Sequence, residues 1–364
     1  MPQIRLITTA RNYEIDVRSG EYVFEVLGRC GIPANSVLLL DELDRFCSLT
    51  TRLGDNDVVN AYALRNVDYG ALFPRFTVEE TVDSVTELLL DGRNGVGKRV
   101  IQLSRDKALD SVYAAVRTVL NDYLQPTDGR ITLQIGLSPG GDGRILAECI
   151  ARYIQDERRA DFHCIIVGAG FEDEEEHVSN AVALADRFNL SYTTFSSSEA
   201  GRLLGYSIGL DELAQQYRVE HPDDAAEMLP TYLLQELHFA VGRAASRRGI
   251  IMGYNFEDTL AERLYHLMSG VPLPPFPVRR LPDFDIIAPL CKIDKYLLDS
   301  LDIGNSIRNY SARRASGGDV RSSLYVMAYS MAQMYPSLAR NIAHGASWSG
   351  QPSELDEWLH SRSR

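Results

Sequence analysis

From residue 131 onward, apolar runs short enough to be strands alternate with amphipathic segments long enough to be helices. No other feature constrains the fold of this chain as strongly. "ITLQIGL" (131–137) reads as a strand, "RILAECIARYI" (144–154) as a helix, and "FHCIIVGAG" (162–170) as a strand. "EEEHVSNAVALADRFN" (174–189) and "SYTTFS" (191–196) repeat the pair. Residues 197–229 are less regular and read as a lid or substrate loop; "TYLLQELHFAVGRAASRRG" (helix), "IIMGYN" (strand, 250–255) and "EDTLAERLYHLMSG" (helix) then resume the alternation. A long amphipathic helix, 106–124, precedes the series, with Leu109, Val112, Val116, Val119 and Leu120 on one face. This order predicts an α/β fold with an open, mostly parallel, doubly wound sheet.

The segment before it has a different pattern. "QIRLITT" and "YEIDVR" alternate in period two around a polar turn, "GEYVFEVLGRCG" has helical spacing, and "SVLLLDE" and "DVVNAYALR" give two more strands. Strand, strand, helix, strand, strand resembles the ubiquitin-like β-grasp fold. The Gly-Gly tail of the sulfur carriers that share that fold is missing, because the chain continues through "ALRNVDYGALF". The expected organisation is a β-grasp domain (1–66), a helical connector (67–102), the doubly wound domain (103–310) and a helical C-terminal tail (311–364). Within the connector, Thr77 and Glu80 have capping-box spacing, which predicts a helix ending at Gly92. "GRNGVGKR" (92–99) has Walker A spacing at Gly92, Gly97 and Lys98. Arg99 stands where a magnesium-binding hydroxyl is needed, and the order is helix–loop–strand rather than strand–loop–helix, so it reads as a basic turn.

Charge and cysteine content limit the function classes. The net charge is −13, from 37 basic and 50 acidic residues, which disfavours indiscriminate binding to nucleic acid or an anionic membrane. A local exception is "RNYSARRASGGDVR", with Arg308, Arg313, Arg314 and Arg321 against Asp319. No apolar run reaches the ~18 residues of a membrane span, and no signal peptide is read at the N-terminus. The five cysteines are scattered, without a Cys-x-x-Cys pair, so neither zinc, nor an iron–sulfur cluster, nor a disulfide framework is expected. A cytoplasmic location follows. The acidic run "FEDEEEH" (171–177) suits a helix N-terminus without any metal, and "PLPPFPVRR" (272–280) reads as a stiff loop.

The chemistry concentrates in "GLSPGGDGRIL" (136–146), a Gly-rich turn between a strand and a helix. In open α/β sheets ligands bind beyond the carboxyl ends of the strands, and unpaired N–H groups at a helix N-terminus favour an anion there. Ser138 can donate a hydrogen bond and Arg144 adds positive charge. Downstream, "GYNFED" (253–258) and "IIAPL" (286–290) follow in order. Together the three stretches resemble the PP-loop (N-type) ATP pyrophosphatases, the adenine nucleotide α-hydrolase-like superfamily. The nearest branch is that of the tRNA-lysidine, 2-thiocytidine and 2-thiouridine synthetases.

That resemblance implies ATP cleaved to AMP and pyrophosphate, with a substrate oxygen adenylated and then displaced by a nitrogen or sulfur nucleophile. It places Ser138, Gly140, Gly141, Asp142, Gly143, Arg144 and Asn255 around ATP or pyrophosphate. It makes Asp142 and Asp258 the catalytic carboxylates and magnesium ligands. Helix N-cap for Asp142 and first-turn carboxylate for Asp258 are the competing structural roles. The implied acceptor is a tRNA base, or a small molecule or peptide. A protein partner or a second copy would dock through the β-grasp domain.

The motifs depart from the family at four places. Pro139 removes a backbone donor, Gly143 replaces a serine, Tyr254 replaces a histidine, and Ala261-Glu262 displaces a carboxylate by one residue. Two alternatives therefore remain beside the enzyme: a degenerate PP-loop subunit, and an interaction scaffold whose β-grasp domain does the binding.

Overall fold

The first strands pair as the alternation predicts. β1 (Gln3–Ile7) and β2 (Asn12–Asp16) are antiparallel, β3 (Val37–Asp41) and β4 (Val58–Ala63) are antiparallel, and β1 runs parallel to β4. The sheet order is β2-β1-β4-β3. Ile4, Leu6, Val59 and Ala61 point to one face, where Val23, Val26 and Leu27 of α1 (Val23–Arg29) join them in a single apolar cluster. The computed structural model describes residues 2–9, 11–64, 69, 72–73, 75–91, 97–124, 131–168, 174–220, 229–304, 306–307 and 320–344. Contacts divide the chain into two units, Met1–Thr77 with Gly92–Lys98, and Val78–Asp91 with Arg99–Arg364.

The connector corrects the sequence expectation. Residues 77–91 are not helical: β5 (Phe76–Glu79), β6 (Ser84–Asp91) and β7 (Lys98–Ser104) form a three-stranded sheet with β7 in the centre. A helix through this segment would need Asp83 in the right-handed region, but it sits at φ +57° in the turn between β5 and β6. The β-branched Val82, Val85 and Thr86 favour the extended form, and Thr86 is buried. The Walker-like turn at 92–96 lies outside the described residues.

In the second unit, α2 (Arg105–Tyr123) leads into β8 (Ile131–Gly136), α3 (Gly141–Asp156), β9 (Ala160–Gly168), α4 (Glu174–Arg187) and β10 (Ser191–Ser196). Next come α5 (Ser197–Leu203), α6 (Leu210–Glu220), α7 (Leu229–Ala244), β11 (Gly249–Ile251), α8 (Phe256–Met268), β12 (Val278–Arg279), β13 (Asp285–Ile287) and α9 (Lys295–Ser300). The tail contributes α10 (Val320–Met334) and α11 (Pro336–His344). The sheet order is β10-β9-β8-β11-β13-β12, all parallel except the short edge strand β12. The central strands are apolar on both faces, as a sheet covered by helices requires: Leu133, Ile135, Cys164, Ile166, Ile251 and Ile287 are buried on one face, and Ile165, Val167, Ile250 and Ile286 on the other.

Successive connections run from β8 to β9 on one side and, later, to β11 on the other, so the strand order reverses beside β8. The carboxyl end of β8, followed by α3, is the switch point at which such sheets bind ligands. Two helices occupy the segment read as an irregular lid. Ser196 and Glu199 form a reciprocal capping box that starts α5, and buried Leu210 and Ala214 share one face of α6. The first of these signals is four residues long and sits directly on a strand end, where the strand pattern hides it.

Candidate functional site

Helix α3 begins three residues earlier than its sequence pattern predicts. Gly140 is the N-cap, in extended backbone, so Gly141, Asp142 and Gly143 make up the first turn rather than the loop. The amides of a first turn have no intrahelical acceptor and face outward along the helix axis. Leu137 N–H donates to the Ile165 carbonyl of β9 at 3.1 Å and fixes where the loop leaves the sheet. Gly143 is sterically required: a Cβ there would lie 2.0 Å from the Ser138 carbonyl oxygen. The family serine therefore has no room in this loop, and the departure at Gly143 belongs to the way the loop packs. Gly141 is confined too, since a Cβ would meet Ser306 Oγ at 2.8 Å and Asp299 Oδ1 at 2.9 Å.

Asp142 is held by a residue that the sequence reading did not single out. Lys295 Nζ donates to both carboxylate oxygens of Asp142 at 2.9 Å and lies 2.8 Å from Asp299 Oδ1. Its side chain is only 9% exposed, so the ammonium is withdrawn from water between two carboxylates. Burial pushes the Asp142 carboxyl up to about 6, against the pull of Lys295, and nearby Asp258 adds to the rise. It is still ionised at neutral pH. For Lys295, burial works to lower the pKa, but Asp142 and Asp299 more than offset it, and the ammonium stays protonated. Asn255 Nδ2 reaches Asp142 Oδ2 at 3.4 Å, and Gly253 packs at the Asp142 Cβ. The first and second sequence motifs thus meet at Asp142.

The second motif forms the start of α8. Asn255 is its N-cap and accepts from Asp258 N–H at 2.9 Å, while Asp258 Oδ2 accepts the Asn255 N–H at 3.1 Å. The other Asp258 oxygen accepts the Tyr325 hydroxyl of α10 at 2.6 Å. Between them, Glu257 is 4% exposed and accepts the backbone N–H of Lys295 at 2.8 Å; burial pushes its carboxyl up to about 7. One helical turn therefore positions Asp142, Lys295 and the tail together.

Of the predicted residues, Ser138, Gly140, Gly141, Asp142 and Gly143 share one turn, and Asn255 joins them. Asp258 stands beside them but is engaged in its own cap. Arg144 departs from the expectation: it forms a buried ion pair with Asp302, and its Nε finds no hydrogen-bond acceptor among the described residues. Its charge is committed to Asp302. Lys295, Asp299, Glu257, Asp302 and Tyr325 are the site residues that the sequence reading missed. A Lys and an Asp at i, i+4 just after "IIAPL" were the available signal for the first two.

The site sets helix N-terminal amides, which favour an anion, beside the carboxylates of Asp142 and Asp299. First-turn amides and a desolvated ammonium converge near Asp142. Both Asp142 oxygens are bonded by the ammonium, and both Asp258 oxygens accept hydrogen bonds. Among the described residues no three His, Cys, Asp or Glu side chains are grouped to hold a metal. A cavity of about 490 Å³, lined by Ile154, Arg158, Asp161 and Asn189, lies at the amino ends of β9 and β10, away from this site.

Comparison with known proteins yields matches in structure only; no family model and no curated protein matches the sequence. Similar solved structures include the U34-tRNA thiolase NcsA from Methanococcus maripaludis with its 4Fe-4S cluster, at 15% identity and a TM-score of 0.49, over 66% of this chain and 78% of that one. An NAD+ synthetase from Burkholderia pseudomallei is similar at 10% identity and a TM-score of 0.33, over 71% and 90% of the two chains. The NH3-dependent NAD synthetase from Campylobacter jejuni, in complex with nitrate, is similar at 12% identity and a TM-score of 0.36, over 69% and 98%. The fold class read from the sequence is met: an open, mostly parallel sheet with a Gly-rich turn between its switch-point strand and the following helix. The expectation that no iron–sulfur cluster accompanies such a chain is overturned by the thiolase, which carries one. A cluster needs thiolates brought together in space, and the absence of a Cys-x-x-Cys pair in sequence does not decide that. No helix among the described residues is long and apolar enough to cross a membrane.

Proposed function

We propose that this chain is an ATP-dependent, AMP-forming enzyme that adenylates a substrate oxygen and then transfers a nitrogen or sulfur nucleophile. The observation that carries the reading is the Gly140–Gly143 turn. It presents the first amides of α3 at the switch point of the sheet, with Gly143 packed so closely on Ser138 that only glycine fits. The substrate oxygen attacks the α-phosphorus, the α–β bridging P–O bond breaks, and pyrophosphate leaves. The nucleophile then attacks the activated carbon, and AMP departs with the substrate oxygen. In this scheme the first-turn amides hold the departing pyrophosphate, which is stabilisation by fixed donors more than covalent help, and Lys295 holds Asp142 in place beside them. The acceptor is a tRNA base, or a small molecule or peptide, and the N-terminal unit, read as a β-grasp module, docks a partner protein or a second copy.

Release of pyrophosphate from ATP, and its loss in Asp142→Ala, is the test; undiminished release in that variant overturns the assignment. A second reading, a PP-loop scaffold that binds nucleotide weakly beside an active partner, is favoured by one observation: Arg144 is committed to Asp302. Micromolar ATP binding in a calorimeter, about −8 kcal/mol, counts against that scaffold.

A further inference from the structure

Two carboxylates, Asp142 and Asp299, lie at the mouth of the α3 turn with a buried ammonium between them, and Asp258 stands beyond Asn255. Two of the ammonium's contacts go to Asp142 at 2.9 Å and one to Asp299 at 2.8 Å. These are the contacts of a cation held between acidic ligands. Asp258 has different partners, accepting hydrogen bonds from the Asn255 N–H and the Tyr325 hydroxyl. A divalent ion on Asp142 would have to displace the ammonium from a site where it is nine-tenths buried, or sit beside it against like-charge repulsion. The Lys295 backbone is anchored at the start of α9. Its own N–H is held by Glu257 at 2.8 Å, and it opens a helix whose Asp299 is packed on Gly141.

We propose that Lys295 is the resident cation of this site. Its ammonium takes the place between Asp142 and Asp299 that a protein-bound divalent ion would otherwise hold, so a nucleotide binds with the magnesium its own phosphates carry and with none fixed by the chain. The role toward nucleotide rests on the function proposed above; the occupancy of the carboxylates by the ammonium does not. Lys295 is a positioning residue for Asp142 and the counter-charge of the two carboxylates that hold it.

Two measurements on the full-length chain separate the claims. In the first, Mn2+ alone is titrated and followed by electron paramagnetic resonance. Wild type is expected to take up no stoichiometric Mn2+, whereas Lys295→Met, with its carboxylates released, binds one equivalent at least about tenfold more tightly. Adding Asp142→Asn to that variant removes the new site. One tightly bound Mn2+ on wild type, abolished by Asp142→Asn alone, overturns the proposal, and this comparison holds even if Lys295→Met does not fold. In the second, ATP binding is measured by calorimetry with excess Mg2+ and with EDTA. Affinity in EDTA within about tenfold of that with Mg2+ supports the proposal, and binding that demands Mg2+ for any detectable heat overturns it. Absence of binding in both buffers defeats the nucleotide reading instead, and the Mn2+ result then stands alone in deciding what occupies the carboxylates.

Discussion

A side-chain carbon on Gly143 would lie 2.0 Å from the carbonyl oxygen of Ser138, inside any permissible contact. The loop and the first turn of α3 are pressed together at that point. Gly143→Ser, which restores the family residue, is therefore expected to damage the loop rather than repair it. Overpacking of this kind costs about 1–3 kcal/mol or more. Thermal unfolding should show a lowered midpoint, and ATP calorimetry a weaker or absent heat. A serine variant as stable as wild type with improved binding would refute the packing argument.

Glu257 gives the site a pH signature. Its carboxyl is raised from the ordinary 4.5 to about 7, chiefly by burial. A carboxyl raised on folding contributes stability that is present below its unfolded value and is lost as pH rises through the folded one. The wild-type chain should lose stability on this account between about pH 4.5 and 7, by up to roughly 3 kcal/mol. Glu257→Gln keeps an oxygen to accept the Lys295 N–H and cannot ionise. Urea midpoints should coincide for the two proteins near pH 4.5 and favour the variant at pH 8.

The Arg144–Asp302 pair is structural, and it should behave so. Both side chains are mostly buried, at 13% and 9% exposure. Asp302→Ala leaves a guanidinium uncompensated and is expected to cost about 3–5 kcal/mol. Replacing both residues with apolar ones of similar volume, as in Arg144→Met with Asp302→Leu, should recover most of that loss. A double variant no better than the single one in chemical unfolding would show that Arg144 has a further partner in the folded chain.

Tyr325 ties the tail to the site through a 2.6 Å hydrogen bond to Asp258. Tyr325→Phe keeps the ring and removes the hydroxyl. It should weaken the attachment of α10 by about 1–3 kcal/mol, because a charged acceptor is left without its donor. Limited proteolysis should then release the tail faster, with unit-wide melting little changed.

What the sequence made legible follows from which signals are local. The strands that are apolar throughout and the helix face of Val112, Val116 and Leu120 are periodic in themselves, so the doubly wound sheet could be read directly. The segment 77–91 could not. Its Thr77–Glu80 spacing imitates a helix start, and only pairing with β7, together with the left-handed turn at Asp83, reveals strands. In the site, Asp142 and Asn255 stood out because glycines and a motif surround them. Lys295 did not, because its meaning comes from an acid 153 residues earlier in the chain. Arg144 was misread for the same reason, since nothing near it in sequence announces Asp302.

The pairing of β8 with β11 has a consequence in time. Leu133 lies opposite Gly249, so the centre of the sheet cannot close until synthesis has passed well beyond that strand. Parallel pairing over such a separation is slow, because the intervening loop entropy must be overcome before the contacts can form. Lys295 arrives later still, and Tyr325 after it. Until then, Asp142 stands at the start of α3 without its counter-charge, and the nascent chain carries the acidic mouth before it carries the cation that fills it. The site is thus among the last parts of the molecule to mature, complete only with the helices that bring Lys295 and Tyr325.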